Sequence, residues 1–196
     1  MKSWISKTAI AIAMLAVLPA LAHADTWQID PAHTNVEFTV RHMMISNVKG
    51  QFQKTSGTIT TGSDPASAQI DATIDASSVD TRVERRDTHL KSPDFLDVAK
   101  YPTITFKSTK VEAAGPNKFK VTGDLTLHGV TKPVVLDVET SGAPINMMGK
   151  MHAGASATTQ IKRSDFGLTW NKALEAGGVM VGDEVAISID VEAIKK

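Results

Sequence analysis

The sequence predicts an all-β protein: an extended eight-stranded antiparallel β-barrel with a short helical insertion around residues 81–99. Eight runs of residues alternate between apolar and polar side chains, which is the pattern of half-buried strands. Helical signals interrupt these runs once, and no linker or sequence repeat divides the chain. A closed barrel is favoured over an open sheet because closure leaves no unpaired strand edge, and a two-sheet sandwich is the competing architecture.

The N-terminal segment, residues 1–24, is predicted to be a cleaved export signal. Lys2 and Lys7 precede an apolar run over residues 9–18, and Ala22-His23-Ala24 has the A-x-A pattern that a signal peptidase requires. The run is shorter than the roughly 20 apolar residues of a spanning helix, and an uncleaved membrane anchor is the alternative. Cleavage after Ala24 would leave one domain over residues 25–196.

The composition argues against nucleic acid as a partner and excludes stabilisation by disulfides or thiolate metal ligands. The chain of 196 residues has 21 Lys and Arg against 21 Asp and Glu, and loss of Lys2 and Lys7 would leave 19 against 21. A near-neutral balance argues against nucleic acid as a partner. The chain has no cysteine, so neither disulfides nor thiolate ligands stabilise it.

The first predicted strand contains Val36, Phe38 and Val40, which alternate with polar residues. The other seven runs follow in order, and several of them hold 9 to 13 residues. Strands commonly hold about 5 to 6 residues, so the barrel is predicted to be tall. These seven runs cover residues 51–60, 68–76, 103–111, 118–128, 132–141, 151–163 and 184–194.

The helical insertion is predicted from two start signals. Thr81 and Glu84 have the T-x-x-E spacing of a capping box, and Ser92-Pro93 offers a second start with proline at the first helical position. The segment therefore predicts one or two short helices between strands.

The interior of an eight-stranded barrel is either filled by side chains or just wide enough for one small ligand. On one strand, Ala153, Ala155 and Ala157 share the apolar face and leave space, which favours a narrow apolar lumen. The alternative is that these alanines interlock with opposing phenylalanines in a solid core. Strand parity assigns to the lumen Phe38, Val40, Phe52, Ile70, Ile74, Ile104, Phe106, Phe119, Leu125, Leu127, Leu136, Ala153, Ala155, Ala157, Ile161, Val185 and Ile187.

No catalytic residue is predicted. The chain has no G-x-S-x-G motif and no cysteine, so the usual activated nucleophiles are missing. The five histidines outside the signal show no H-x-H, H-x-x-x-H or H-E-x-x-H spacing, so neither a metal nor another cofactor is predicted. His33 and His42 would lie about 30 Å apart if one straight strand joined them, and we interpret both as rim or turn residues.

Three basic residues are candidates for contact with a polar ligand head group. His128 precedes Gly129 where two strands reverse, so it is either a hairpin residue or a contact at the barrel mouth. Arg82 and Arg86 lie in the helical insertion and could attract a phosphate, although such a run is usually a solvated helix face.

Four motifs follow one another in sequence order between residues 30 and 170. They are "DPAHTNVEFTVRHMMISNVKGQF", "RRDTHLKSPDFLDVAKYPTITFKST", "GDLTLHGVTKPVVL" and "IKRSDFGLTW". Together they closely resemble the successive motifs of the YceI-like polyisoprenoid-binding proteins. The resemblance implies a lipocalin-like barrel that is exported to the bacterial periplasm and has no catalytic residues.

The resemblance also implies the ligand. We expect a long isoprenoid lipid, either a polyprenyl phosphate or an isoprenoid quinone, held in the lumen for sequestration or transport, with transient contact with a membrane. A lipid-modifying enzyme and a solid-core stress-response protein on the same fold are the alternatives.

Overall fold

The computed structural model describes residues 24–62, 64–175 and 177–196, so the predicted export signal lies outside the described residues apart from Ala24. The predicted all-β class is confirmed. Within the described ranges there are twelve strands and one α-helix, and no helix there is long and apolar enough to cross a bilayer.

The strands vary from two to fifteen residues in length, and the single helix precedes the seventh strand. They are β1 (Asp25–Ile29), β2 (Asn35–His42), β3 (Ser46–Phe52), β4 (Thr55–Thr61), β5 (Gln69–Asp75), β6 (Val79–Asp80), α1 (Glu84–Lys91), β7 (Thr103–Gly115), β8 (Lys118–Leu127), β9 (Val130–Thr140), β10 (Ile145–Met147), β11 (Lys150–Lys162) and β12 (Val181–Lys195).

Eight strands close the barrel, as the sequence predicts. The order of pairing is β11, β9, β8, β7, β5, β4, β1 and β12, and β12 pairs back with β11. All of these pairs are antiparallel. Because the barrel is closed, the backbone N–H and C=O groups of each member strand can form hydrogen bonds with a neighbouring strand on both sides.

Strands β1 and β2 act as one interrupted strand along β12. Ile29 of β1 lies opposite Ala193, and Asn35 of β2 lies opposite Asp190, so the two strands follow each other along the same edge. On their other side, β3 pairs with β2 and β4 pairs with β1. The predicted run 51–60 is therefore divided between two strands.

The predicted capping box is wrong. The N-cap of α1 is Val83, and it makes no side-chain capping hydrogen bond. Thr81 is instead held outside the helix, because its hydroxyl donates to Asp87 Oδ1 at 2.5 Å and accepts a hydrogen bond from Arg86 Nε at 2.7 Å. The second start is also absent, since residues 93–96 form turns after Ser92 ends the helix.

One end of the barrel is closed by a plug, which we define as α1 with residues 92–101 and 163–170. Phe95, Phe166 and Leu168 of the plug pack against inward-facing strand residues such as Ile104 and Leu127. Only 2% of Phe166 is exposed, and burial of such a side chain contributes about 1.5–3 kcal/mol. This end of the interior is a packed core.

Arg163 ties the plug to β12 and is 7% exposed. Its Nε donates to the carbonyl of Gly182 at 2.9 Å, and a second guanidinium nitrogen donates to the carbonyl of Leu168. Burial lowers the pKa of this guanidinium, but the carbonyls supply the acceptors that a buried arginine needs.

Asp183 makes a second tie between the plug and β12. Its two carboxylate oxygens accept hydrogen bonds from the Ser164 backbone N–H at 3.0 Å and from the Ser164 hydroxyl at 2.7 Å. The hydroxyl hydrogen bond is the main cause that lowers the pKa of Asp183 below its usual value of 3.8. A carboxyl with a lowered folded-state pKa stabilises the fold above its unfolded-state pKa, and this contribution is lost as the pH falls through the folded-state pKa.

We predict that Asp183→Asn lowers the free energy of unfolding by about 1 kcal/mol at neutral pH, because the charged acceptor of Ser164 is removed. The difference from wild type should shrink below about pH 4, where the wild-type carboxyl is protonated in the unfolded state and then in the folded state. Urea unfolding of both proteins from pH 7 to pH 2.5 measures this difference. A difference that stays constant over this range would contradict the assigned role.

Candidate functional site

The register of the strands decides which side chains face the interior. Ala155 lies opposite Val191 on β12 and Thr140 on β9, and Ala157 lies opposite Ile189 and Val138. The same alternation runs around the barrel, so the residues that strand parity assigns to the lumen form one inward face. All of them are buried or half-buried.

The inward face contains two buried clusters. In the plug region, Ile104, Leu127 and Ile161 are buried, with Phe52, Ile74, Leu125, Val185 and Ile187 packed against them. Towards the β7–β8 turn, Val121, Leu136 and Ala157 form the second cluster, and the inward-facing apolar residues around and beyond it are half-buried. We call these residues the lumen surface: Ile70, Phe106, Val111, Phe119, Val138, Ala153, Ala155, Ile189 and Val191.

The three alanines of β11 separate the two interpretations of the interior. Ala157 is 7% exposed and packs in a cluster with Val121 and Leu136, as a filled core requires. Ala153 and Ala155 face the same side but are only half-buried. The burial of Ala157 agrees with the interlocked interpretation there, and an open lumen beside Ala153 and Ala155 stays a prediction.

Two inward phenylalanines lie against the wall of the barrel. A Cβ atom added at Gly50 would lie 2.3 Å from Cζ of Phe38, and one added at Gly123 would lie 2.3 Å from Cζ of Phe106. Each ring thus covers a glycine on the neighbouring strand. Rings in this position lie along the wall of the barrel.

We predict that Gly50→Ala lowers the free energy of unfolding by about 1–3 kcal/mol, because the new methyl group overlaps the Phe38 ring. In a Phe38→Leu background the cost of Gly50→Ala should be smaller, since the smaller side chain can move aside. Chemical denaturation of the four proteins of this double-mutant cycle gives the coupling energy. Equal costs in both backgrounds would show that the ring does not lie over Gly50.

Sequence reasoning missed inward residues on β1. Trp27 is 7% exposed and Ile29 is 4% exposed, and Trp27 pairs across the strands with Ile59. Their alternation along β1 was an available signal, but the strand has only five residues and directly follows the predicted cleavage site.

The three candidates for head-group contact lie at the plugged end and do not form one site. His128 is half-buried in the β8–β9 turn, where Nδ1 lies 3.3 Å from the Phe166 carbonyl and the ring packs on Tyr101. Arg86 donates to the Thr81 hydroxyl and carbonyl, and Arg82 is exposed just before α1.

A separate polar cluster lies on the outer wall where β1 passes into β2. His33 Nδ1 is 2.8 Å from Asp30 Oδ2, and His152 Nδ1 is 2.6 Å from Glu192 Oε1. The hydrogen bond between Asp30 and His33 raises the pKa of His33 and lowers the pKa of Asp30. Local sequence spacing could not reveal this cluster, because its members come from three separate segments.

The two histidines of the first motif are not neighbours. His42 is the last residue of β2 and adjoins the β2–β3 turn, as expected. His33 precedes β2 in the junction that follows β1, partway along β12 rather than at the barrel rim.

The outer wall also carries a shallow hollow of about 260 Å³. Five of its nine lining residues are outward-facing and polar, and the lining also includes Phe119 and Val138 of the lumen surface. The border includes Lys118, Asp137, Glu139, Ser156 and Thr158.

A closed, extended barrel with an apolar interior defines the lipocalin-like class of protein. The YceI-like domain matches residues 27–193, and the chain belongs to this family. The resemblance seen in the four sequence motifs is thereby confirmed.

Relatives and solved structures agree with this membership. A UPF0312 protein of Vibrio cholerae is 40% identical over 169 residues, which covers 83% of this chain and 88% of the relative. The crystal structure of a Campylobacter jejuni YceI protein is 40% identical with a TM-score of 0.68, covering 80% of this chain and 90% of that one. A polyisoprenoid-binding domain from Saccharophagus degradans has the same fold at 18% identity, with a TM-score of 0.62 and coverage of 87% and 98%.

Proposed function

We propose that this protein is a periplasmic carrier that holds one long isoprenoid lipid in its barrel and has no catalytic activity. The lipid is a polyprenyl phosphate or an isoprenoid quinone, and the role is sequestration or transport. The observation that carries the proposal is the lumen surface, where apolar side chains that face inward are half-buried rather than fully buried. Exposed apolar surface in a concave site is what an apolar ligand covers.

The shape of this surface favours a linear ligand. Ala155 and Phe119 lie on strands separated by β9, so small side chains on β11 and larger ones on β8 lie along the same part of the wall. The plug closes one end, so a chain would enter from the end near the β7–β8 turn. Each buried CH₂ group contributes about 0.8 kcal/mol, and a polyprenyl chain has enough of them for tight binding.

Two further observations support the proposal. The Saccharophagus degradans domain that shares this fold is described as polyisoprenoid-binding. The A-x-A pattern that ends at Ala24 supports export and cleavage before the first strand begins at Asp25.

We propose that the head group stays near the open end and not beside the predicted basic residues. The polar atoms of Arg86 and His128 already contact Thr81 and Phe166 at the plugged end. A phosphate placed there would have to break these contacts, which costs binding energy.

We predict that protein purified from its own periplasm carries an isoprenoid lipid, which mass spectrometry of an organic extract identifies. A barrel preparation that repeatedly yields no apolar compound, and that binds no polyprenyl phosphate or quinone when one is added, would contradict the proposal.

We predict that Ala155→Phe sharply reduces isoprenoid binding while the protein still folds, because the ring occupies space in the lumen. The matched control is Ser156→Phe, which places the same ring on the exposed outer face of β11 and should bind normally. Ligand retention and thermal melting are measured on the same lipid-stripped preparations, so that loss of ligand is not mistaken for loss of stability.

The two variants also test the packing at this position. If Ala155 were part of a filled core, overpacking would cost about 1–3 kcal/mol and the variant would melt far below stripped wild type. Normal melting together with normal binding in Ala155→Phe would contradict the open lumen at this position.

A further inference from the structure

Outside the lumen, three metal-ligating side chains converge on the outer wall. One ligand atom from each of Asp30, His33 and Glu192 lies within 4.8 Å of the others. We propose that these three side chains bind one divalent transition-metal cation of the zinc type. The site faces solvent, so the lipid does not take part in it.

The backbone places these ligands at the junction between β1 and β2, where the strand that pairs with β12 changes from one to the other. The Asp30 N–H donates to the Glu192 carbonyl at 2.8 Å, and the Glu192 N–H donates to the Thr34 hydroxyl at 3.4 Å. These two hydrogen bonds hold the junction between β1 and β2 against Glu192 of β12, and the Glu192 side chain is the third ligand of the cluster. Thr34 itself is 8% exposed, so the junction is well packed.

Each ligand is also oriented by a neighbour. The Ala32 N–H donates to Asp30 Oδ1 at 3.0 Å, which holds this carboxylate beside the His33 ring. His152 Nδ1 lies 2.6 Å from Glu192 Oε1, and the side chain of His152 is only 18% exposed. His152 is therefore a positioning residue for Glu192, in the manner of the outer partners that orient metal ligands.

The donor set selects the class of ion. One imidazole nitrogen and two carboxylates suit zinc and its neighbours, whereas calcium and magnesium prefer sites made only of oxygen. Ligands about 2.0–2.2 Å from one zinc ion lie about 3–4 Å from each other. The three ligand atoms lie within 4.8 Å of one another, and the His33–Asp30 pair, at 2.8 Å, would separate slightly to admit the ion. Three protein ligands leave a coordination position for water.

The side chains of His33 and Asp30 differ in their exposure to solvent. The side chain of His33 is 64% exposed, whereas that of Asp30 is 16% exposed. The imidazole can turn towards an arriving cation while the carboxylate stays in place. Binding at Nδ1 replaces the hydrogen bond to Asp30, so the neutral ring carries its proton on Nε2, and a protonated ring releases one proton to solvent.

A second pair in the same chain supplies a control. His89 Nε2 lies 2.8 Å from Asp94 Oδ2, which matches the distance between His33 and Asp30. Within the described residues, the group of three converging ligands includes Glu192 but no residue of the His89 pair. A lone histidine–carboxylate pair should bind zinc only weakly.

The experiment titrates zinc chloride into tag-free, chelator-treated protein and follows the heat of binding. Wild type and Asp94→Asn should bind one zinc ion per chain with the same affinity. Asp30→Asn, His33→Ala and Glu192→Gln should each weaken the binding at least about tenfold. Cobalt bound to wild type should give visible absorption bands that are absent in Glu192→Gln.

Two results would overturn the proposal. One is wild-type protein that takes up no zinc in a one-to-one ratio, which needs no variant to be interpreted. The other is unchanged affinity in both His33→Ala and Glu192→Gln. Lipid binding by the same preparations is expected to be unaffected, so failure of this site leaves the lumen proposal untouched.

Discussion

The fold depends on the pairing of β12 along both of its edges. This strand holds fifteen residues, and β11 pairs with it from Glu184 to Ile194 on one side. On the other side β2 and then β1 complete the ladder. These pairs close the barrel, and closure creates an interior that is separate from the outer wall. A register slip of one residue would turn Val185, Ile187 and Ile189 outward.

The closed wall then allows the two ends of the interior to differ. The plug fills one end, and Arg163 and Asp183 tie it to the first residues of β12 and the carbonyls around them. Contacts that stabilise the fold can therefore be concentrated at the packed end. The opposite end keeps Ala155 and Phe119 half-buried, and the proposed ligand would cover the rest of their apolar surface.

The sequence predicted most of the barrel but not its junctions. Alternation identified the inward face because each strand has a fixed period of two, and closure followed from the number of runs. Alternation could not separate the buried Ala157 from the half-buried Ala155, since both have the same parity. Local sequence spacing could not predict the outer polar cluster either, because contacts such as the one between Thr34 and Glu192 join residues 158 positions apart.

The central claim is that the ligand lies inside the barrel, and photo-cross-linking tests it most directly. A polyprenyl probe with a diazirine near the middle of its chain is bound to wild-type protein, irradiated and mapped by peptide mass spectrometry. The account predicts labels on inward residues such as Ala155, Ile189 and Val191. Labels confined to outward residues of the outer hollow, such as Lys118 and Ser156, would contradict it.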